Sequence, residues 1–347
     1  MTSDRTVDLR SDSVTQPTPE MRRAMAEAVV GDDGREGDPT AQRLEQMGAE
    51  LMGQEAGLFC TSGTMANLVA MMAHLRPGEE VIAERDSHCL RFEAGGLAAI
   101  AGGIPRTLAG RAGRMGLEEL GAEIQPGSRL RPRTALIAVE NTHNWAGGTC
   151  LDVAYMQRLW ALAREHGVAV HLDGERIFNA AVALGVPARA LAEGCDSVMF
   201  GLSKGLGAPY GSVLCGSQEF IARARAMRHR LGGNVRQIGH LAAAGIVALE
   251  TMVDRLAEDH AHARLLAEGI ATVREGLVDL ALVQTNIVYV DTRPLGLGAG
   301  ELNARLGERG VLALAIDPWR LRLVTHKDVT RDQAERAVAA FREAVGR

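Results

Sequence analysis

Residues 168–207 read VAVHLDGERIFNAAVALGVPARALAEGCDSVMFGLSKGLG. Two short apolar runs, VAVHLD (Val168 to Asp173) and SVMFG (Ser197 to Gly201), flank a stretch with the apolar spacing of a helix. A strand that is apolar nearly throughout is one buried on both faces, as in a parallel sheet, and strand, helix, strand is the crossover unit that builds such a sheet. Both runs end in polar residues: Asp173 is followed by Gly174, Glu175 and Arg176, and the second run leads into Ser203, Lys204 and Gly205. Ligands of open α/β sheets gather at the carboxyl ends of the strands. The spacing therefore brings Asp173 and Lys204, 31 residues apart, to one edge of one sheet.

The alternation extends in both directions. GLFC (Gly57 to Cys60) precedes the helical pattern TMANLVAMMAHL, EVIAE (Glu80 to Glu84) and TALIAVE (Thr134 to Glu140) are further strands, and GSVLCG (Gly211 to Gly216) follows Lys204. From about Leu241 the pattern changes to one long helix, LAAAGIVALETMVDRLAEDHAHARLLAEGI, then NIVYVD, a helix near Glu301 to Arg309, LRLVTH and a closing helix from Thr330. The expected fold is α/β, with an N-terminal arm (1–20), a large, mostly parallel sheet domain (21–250) and a smaller C-terminal α/β domain (251–347).

The chain has 347 residues, 46% hydrophobic and 23% charged, with a net charge of -5. It is long enough to bury a large core, and its mild acidity supplies no general attraction to nucleic acid or anionic membranes. No apolar run approaches the ~18 residues of a membrane span, and the opening MTSDRTVDLRSD lacks the apolar centre of a secretion signal. Cys60, Cys89, Cys150, Cys195 and Cys215 are odd in number with no C-x-x-C spacing, the pattern of reduced, mostly buried thiols. A cytoplasmic protein acting on a small molecule, without metal, is expected.

Of 38 basic residues only Lys204 and Lys327 are lysine, leaving 36 arginines. Arginine does not deprotonate in proteins, whereas lysine can become a neutral amine nucleophile, so a surviving lysine is a candidate for covalent chemistry. Lys204 lies between glycines after an apolar strand, with room for a planar ligand; Lys327, before the last helix, is expected to be exposed. Ser62, Gly63 and Thr64 leave a strand and open a helix, which suits a phosphate and equally suits plain N-capping. Asp173 at a strand end needs a cationic partner, either a protonated ring nitrogen or Arg176. A lysine Schiff base, an Asp for a pyridinium nitrogen and a phosphate cradle on a helix start together meet the requirements of pyridoxal 5'-phosphate. His88, after EVIAE, could stack on the cofactor ring and move protons, and His143 in ENTHN could do the same or belong to a turn network.

In order along the chain, DLRSDSVT (Asp8 to Thr15), GDDGREGDPT, SGTMAN (Ser62 to Asn67), SHCLRFEAGG (Ser87 to Gly96), ENTHNWAGG, HLDGERIFNA, SVMFGLSKGLGAPYGSVL, LGGNVRQ and RLVTHKDV resemble the successive motifs of the L-threonine aldolases. These are pyridoxal-phosphate enzymes of the aspartate-aminotransferase fold type, fold type I. The resemblance spans nearly the whole chain and implies retro-aldol cleavage of L-threonine, L-allo-threonine and other β-hydroxy-α-amino acids to glycine and an aldehyde. It implies that Lys204 carries the cofactor as a Schiff base, Asp173 keeps the pyridine nitrogen protonated, and Gly63 and Thr64 bind the phosphate. Ser203 joins the cofactor-binding set, His88 stacks on the ring, and Arg176 lies beside the phenolic oxygen or the substrate. Ser11 and Arg322 would hold the substrate carboxylate, and Arg236 would approach a phosphate across a subunit boundary in a homotetramer, a dimer of dimers with shared active sites. His88 or a water is the expected base for the β-hydroxyl.

Departures from the family pattern fall close to these residues. Glu175 stands where D-G-A-R is usual, Gly34 and Arg35 replace an aromatic turn, Arg91 and Phe92 follow the histidine, and Asn234 interrupts a triple glycine. They leave the size and polarity of the accepted aldehyde open, as well as threo against allo preference. Two other readings stand beside the aldolase: another pyridoxal-phosphate reaction on the same scaffold, such as β-elimination or amino transfer, and a non-catalytic binding protein with the same sheet.

Overall fold

The computed structural model describes residues 6–346, so the first five residues of the expected N-terminal arm lie outside the described residues. Among those described, seven strands form the central sheet, in the order Ala56–Cys60, Ser212–Gly216, Ser197–Gly201, Ala169–Asp173, Thr134–Glu140, Glu80–Glu84 and Ile104–Leu108. Neighbours run parallel except Ser212–Gly216, which is antiparallel to the strand on either side. Thr134–Glu140, Glu80–Glu84 and Ser197–Gly201 have the bounds read from the sequence and are buried at every residue, which is why they read as unbroken apolar runs.

Helices cover both faces, and their ends are set by local chemistry. In Val153–His166 the Asp152 side chain accepts from Tyr155 N, and Gly167 closes the helix in the left-handed conformation, which starts the strand carrying Asp173. Leu44, Phe59, Ile137, Leu159, Phe200 and Val213 belong to the core so formed. All five cysteines are unpaired, four of them buried. No helix of the described residues is long and apolar enough to cross a membrane.

A second core forms around a three-stranded antiparallel sheet, Ile287–Asp291, Arg320–Val324 and Leu314–Ala315, with helices Leu256–Ala271, Ala299–Gly307 and Arg331–Ala344 against it. The last helix opens with a capping box between Thr330 and Gln333. The amino-terminal strand Val7–Asp8 pairs in parallel with Val311–Leu312, and Val7 and Leu9 are buried in this second core.

The long helix expected from Leu241 onward is two helices, Gly239–Thr251 and Leu256–Ala271. The hydroxyl of Thr251 donates back to the carbonyl of Val247 at 2.7 Å, an arrangement that bends helices, and burial of both Met252 and Leu256 turns the chain between them. The apolar period runs through the break, so the pattern alone does not reveal it.

Beneath the sheet edge a hydrogen-bonded chain links His74 Nε2 to Ser197 Oγ (2.8 Å), Ser197 Oγ to His171 Nδ1 (2.8 Å) and His171 Nε2 to Asn67 Oδ1 (3.0 Å). The Asn67 oxygen only accepts, which assigns the hydrogen to His171 Nε2, makes Nδ1 the acceptor of the Ser197 hydroxyl, and leaves Ser197 Oγ to accept from His74. Both histidines are neutral, and burial lowers His74 to about 4 and His171 to about 3. Unfolding frees them to take up protons below their ordinary value of 6.5, so their stabilisation is complete above that pH. It is lost on acidification at up to about 1.4 kcal/mol per pH unit for each histidine. Urea titrations between pH 7 and pH 4 are expected to show this decline, and His74→Gln to remove its share of the slope.

Candidate active site

The carboxyl ends of five adjacent or nearly adjacent strands deliver the polar side chains. Cys60 leads to Ser62 and Gly63, Glu84 to His88, Glu140 to His143 and Asn144, Ala169–Asp173 ends on Asp173 itself, and Gly201 leads to Lys204. The sequence order of these strands is scattered, but the parallel register places their ends together.

Asp173 is buried and accepts from Asn67 Nδ2 at 2.8 Å and from the amide of Glu175 at 3.1 Å. Burial, reinforced by the charge of Glu140, pushes it up to about 7. Asn67 Nδ2 also donates to Glu93 Oε1 (2.8 Å), and the same oxygen meets His88 Nδ1 at 2.8 Å. The backbone amide of His88 is held by Glu140 Oε2 at 2.8 Å. Burial opposes a charge on His88, yet Glu93 and Asp173 hold it above its ordinary value. His88, Glu93 and Asp173 each bring a ligand atom within 4.8 Å of the others, which concentrates negative charge where a cationic nitrogen would be stabilised.

A second group lies on the side of the small sheet. Arg176 does not pair with Asp173, as one reading of the sequence allowed; its Nε and Nη2 each donate to Asp12 at 2.7 Å, and both residues are buried. Burial opposes both charges. Arg176 nevertheless holds Asp12 well below the usual carboxylate range, with help from Lys204 and Arg322, and Asp12 keeps Arg176 charged. Ser11 caps the short turn that presents Asp12, accepting from Ser13 N at 3.2 Å. Arg322 lies opposite Tyr289 across the strand pair, and its Nε is buried without a partner. Tyr289 Oη and Arg176 Nη1 both bond to Asn144, at 3.0 and 3.2 Å.

The third group surrounds Lys204. Thr15 Oγ1 donates to the Lys204 carbonyl at 3.0 Å, tying the amino-terminal turn to this loop, and Ser203 is half-buried beside it. Ser62 caps the helix Gly63–His74 by accepting from Met65 N, so the capping reading is correct. The amides of Gly63 and Thr64 still lack partners within the helix and suit an anion. Glu175 faces Lys204 at 3.4 Å. Lys327, expected to be exposed, has a side chain only 12% exposed, bonded to Asp328 at 2.5 Å, because its stem lies along Gly207, where no Cβ intrudes.

Not every expected residue joins the cluster. Arg236 sits on an exposed loop and pairs with Asp32 at 2.8 Å. His143 is buried in a turn network, bonded to Glu84 at 3.1 Å and accepting from Ala146 N at 3.2 Å. Arg91 lies over the Trp145 ring at 4.3 Å, with Phe92 beside that ring, and Arg35 is exposed near Asp32. Asp12, Asn67, Glu93 and Tyr289 complete the site; the first three fall inside the quoted motifs, but nothing in spacing alone separates them from structural residues.

These groups fit pyridoxal phosphate: a buried carboxylate short of a cation, a lysine after a strand, anion-binding amides at a helix start, and an unpartnered guanidinium nitrogen. The beta-eliminating lyase family matches residues 8–293. The low-specificity L-threonine aldolase 1 of Arabidopsis thaliana is 45% identical over 346 residues, 98% of this chain and 97% of that protein. The low specificity L-threonine aldolase of Escherichia coli K12 is 43% identical over 98% of this chain and 100% of its own length. Among solved structures, a Leishmania major threonine aldolase has a TM-score of 0.83 at 20% identity, covering 98% of this chain and 99% of that one. A Thermus thermophilus aspartate aminotransferase double mutant has 0.73 at 19%, covering 98% and 92%. At these identities the structural likeness is one of fold, and the fold is that of the pyridoxal-phosphate enzymes of type I. Replacing Asp12 with Asn leaves the Arg176 charge buried and uncompensated, so urea unfolding of D12N is expected to show a loss of about 3 kcal/mol or more.

Proposed function

The chain belongs to the beta-eliminating lyase family, and within it we propose that it is a low-specificity L-threonine aldolase, cleaving L-threonine, L-allo-threonine and related β-hydroxy-α-amino acids to glycine and an aldehyde with pyridoxal phosphate. The observation that carries this reading is full-length similarity to named aldolases, supported by Lys204 and Arg322 both acting on Asp12 while Glu175 faces Lys204 and acts on Asp173. When bound, pyridoxal phosphate supplies the electron sink that accepts the pair released as the Cα–Cβ bond breaks.

The residues divide the remaining work. Lys204 would supply the amine that attaches the cofactor, Gly63 and Thr64 would offer amides to its phosphate, with Ser203 alongside, and Asp173 would stabilise its protonated ring nitrogen. A cationic nitrogen there satisfies the carboxylate that burial otherwise pushes up to about 7. Arg322 grips the substrate carboxylate through its unpartnered Nε, with Ser11 and Arg176 as neighbours, and so fixes which bond at Cα stands ready to break. With Glu93 accepting from His88 Nδ1, Nε2 is left free as the base for the β-hydroxyl, and the carboxylates that raise His88 make it a stronger one.

The same reading divides the chain into an arm (1–20), a large domain (21–250) and a small domain (251–347), and places the protein in the cytoplasm, where five unpaired cysteines stay reduced. In a homotetramer with shared sites, exposed Arg236, paired with Asp32 within its own subunit, would also reach the phosphate bound by a neighbouring subunit. Mixing inactive K204A with R236A subunits is then expected to restore activity in hybrid sites.

Incubation with L-threonine and with L-allo-threonine is expected to release glycine and acetaldehyde in equal amounts. Lys204→Ala should abolish this and the borohydride-trapped label on that peptide, and Arg322→Lys should raise KM roughly tenfold or more with a smaller change in kcat. The family description favours one other reading, β-elimination, for which L-serine would yield ammonia and a keto acid. Their dominance over glycine formation would replace the aldolase reading.

A further inference from the structure

Glu175 stands on the turn after Asp173, with its Oε1 3.4 Å from Lys204 Nζ and the two side chains 18% and 22% exposed. Its Oε2 is buried and has no hydrogen-bond partner. Two glycines make the space: a Cβ on Gly63 would collide with Oε2, and one on Gly201 with Oε1. Gly63 opens the helix whose amides suit the phosphate, and Gly201 ends the strand that leads to Lys204. A carboxylate placed there loses hydration and adds negative charge beside Asp173, and no framework donor takes its second oxygen. The cation at ion-pair distance that can compensate it is the nitrogen it faces, with Arg176 acting from farther off.

We propose that Glu175 is a positioning residue, the standing counter-ion of the Lys204 nitrogen, holding that nitrogen cationic and directed between Gly63 and Gly201 both before and after it joins the cofactor. The inference rests on the pyridoxal-phosphate reading above. In the joining reaction an ammonium and an aldehyde give a protonated imine and one water. The nitrogen gives up one proton to gain the lone pair that attacks, the C=N bond forms as the carbonyl oxygen leaves as water with two of the original three protons, and the nitrogen ends positively charged again. The charge that Glu175 faces is therefore the same at both ends of the step, and the protonated imine is the form more readily attacked by an incoming amine.

Other charged groups face this pair from each neighbouring element. Asp12, on the amino-terminal turn, is already committed through both oxygens to Arg176. Asp173 and Arg176 flank Glu175 in sequence and act on it or are acted on by it electrostatically. Lys327 reaches Gly207 and is bonded to Asp328. Among the described residues, the carboxylate at ion-pair distance from Lys204 Nζ is that of Glu175.

The test is a pH titration of the visible absorption of the purified holoenzyme, which follows protonation of the Lys204 imine and needs no turnover. An opposite charge within a few ångströms favours the cationic form by about 1 pH unit or more. The midpoint is expected to fall by about that amount in Glu175→Gln, which keeps the shape, and in Glu175→Ala, and to return toward wild type in Glu175→Asp. Midpoints of the Gln and Ala variants that coincide with wild type or rise above it overturn this inference and leave the cofactor reading intact. A wild-type protein with no visible band overturns both. Should one variant fail to hold the cofactor, the other two give the same comparison, and coincidence of a Gln or Ala midpoint with wild type counts against the proposal.

Discussion

Asp173 is buried at the centre of the sheet edge among Glu140, Glu93 and Glu175, and burial together with those neighbours disfavours its ionised form. A carboxylate in that state is incomplete until a cation arrives, and His88 answers it only in part. Much of the surrounding order serves to keep it in place: the two protons of the Asn67 amide go to Asp173 and Glu93, and the Asn67 oxygen is fixed from below by the neutral His171. The side chain is oriented through a network that reaches His74 on the far side of Ser197. The site is thus shaped to receive positive charge on a ring beyond what His88 supplies.

The opposite arrangement holds a few residues away. Arg176 and Asp12 are joined by two hydrogen bonds, Asn286 adds a bond to Asp12 at 3.1 Å, and Asn144 accepts from Nη1 of Arg176. Their charges cancel locally, so they contribute rigidity, and the unpartnered Nε of Arg322 beside them is left for a carboxylate. One side of the site is short of a cation and the other of an anion, the pattern an amino acid bound to a cationic heterocycle would complete.

The strands and their carboxyl-end residues were legible because a parallel sheet demands apolar runs bounded by polar turns; TALIAVE and SVMFG could be read residue for residue. Lys204 stood out because lysine is nearly absent from the chain. The break after Thr251 was not legible, since it depends on a hydroxyl bonding to its own helix and on what lies beneath Met252. Nor was the partner of Arg176: Asp173 is three residues away and Asp12 is 164, and only the fold brings the distant one closer. The exposure of Lys327 was misjudged for a similar reason, because the groove beside Gly207 is made by residues remote in sequence.

The strand Val7–Asp8 is hydrogen-bonded to Val311–Leu312, while a few residues later Asp12 and Thr15 are anchored to Arg176 and Lys204. The strand Val7–Asp8 consequently cannot pair until Val311 and Leu312 have been synthesised. The second core is therefore closed late in synthesis, and a nascent chain stalled before residue 311 would present an unpaired strand to chaperones.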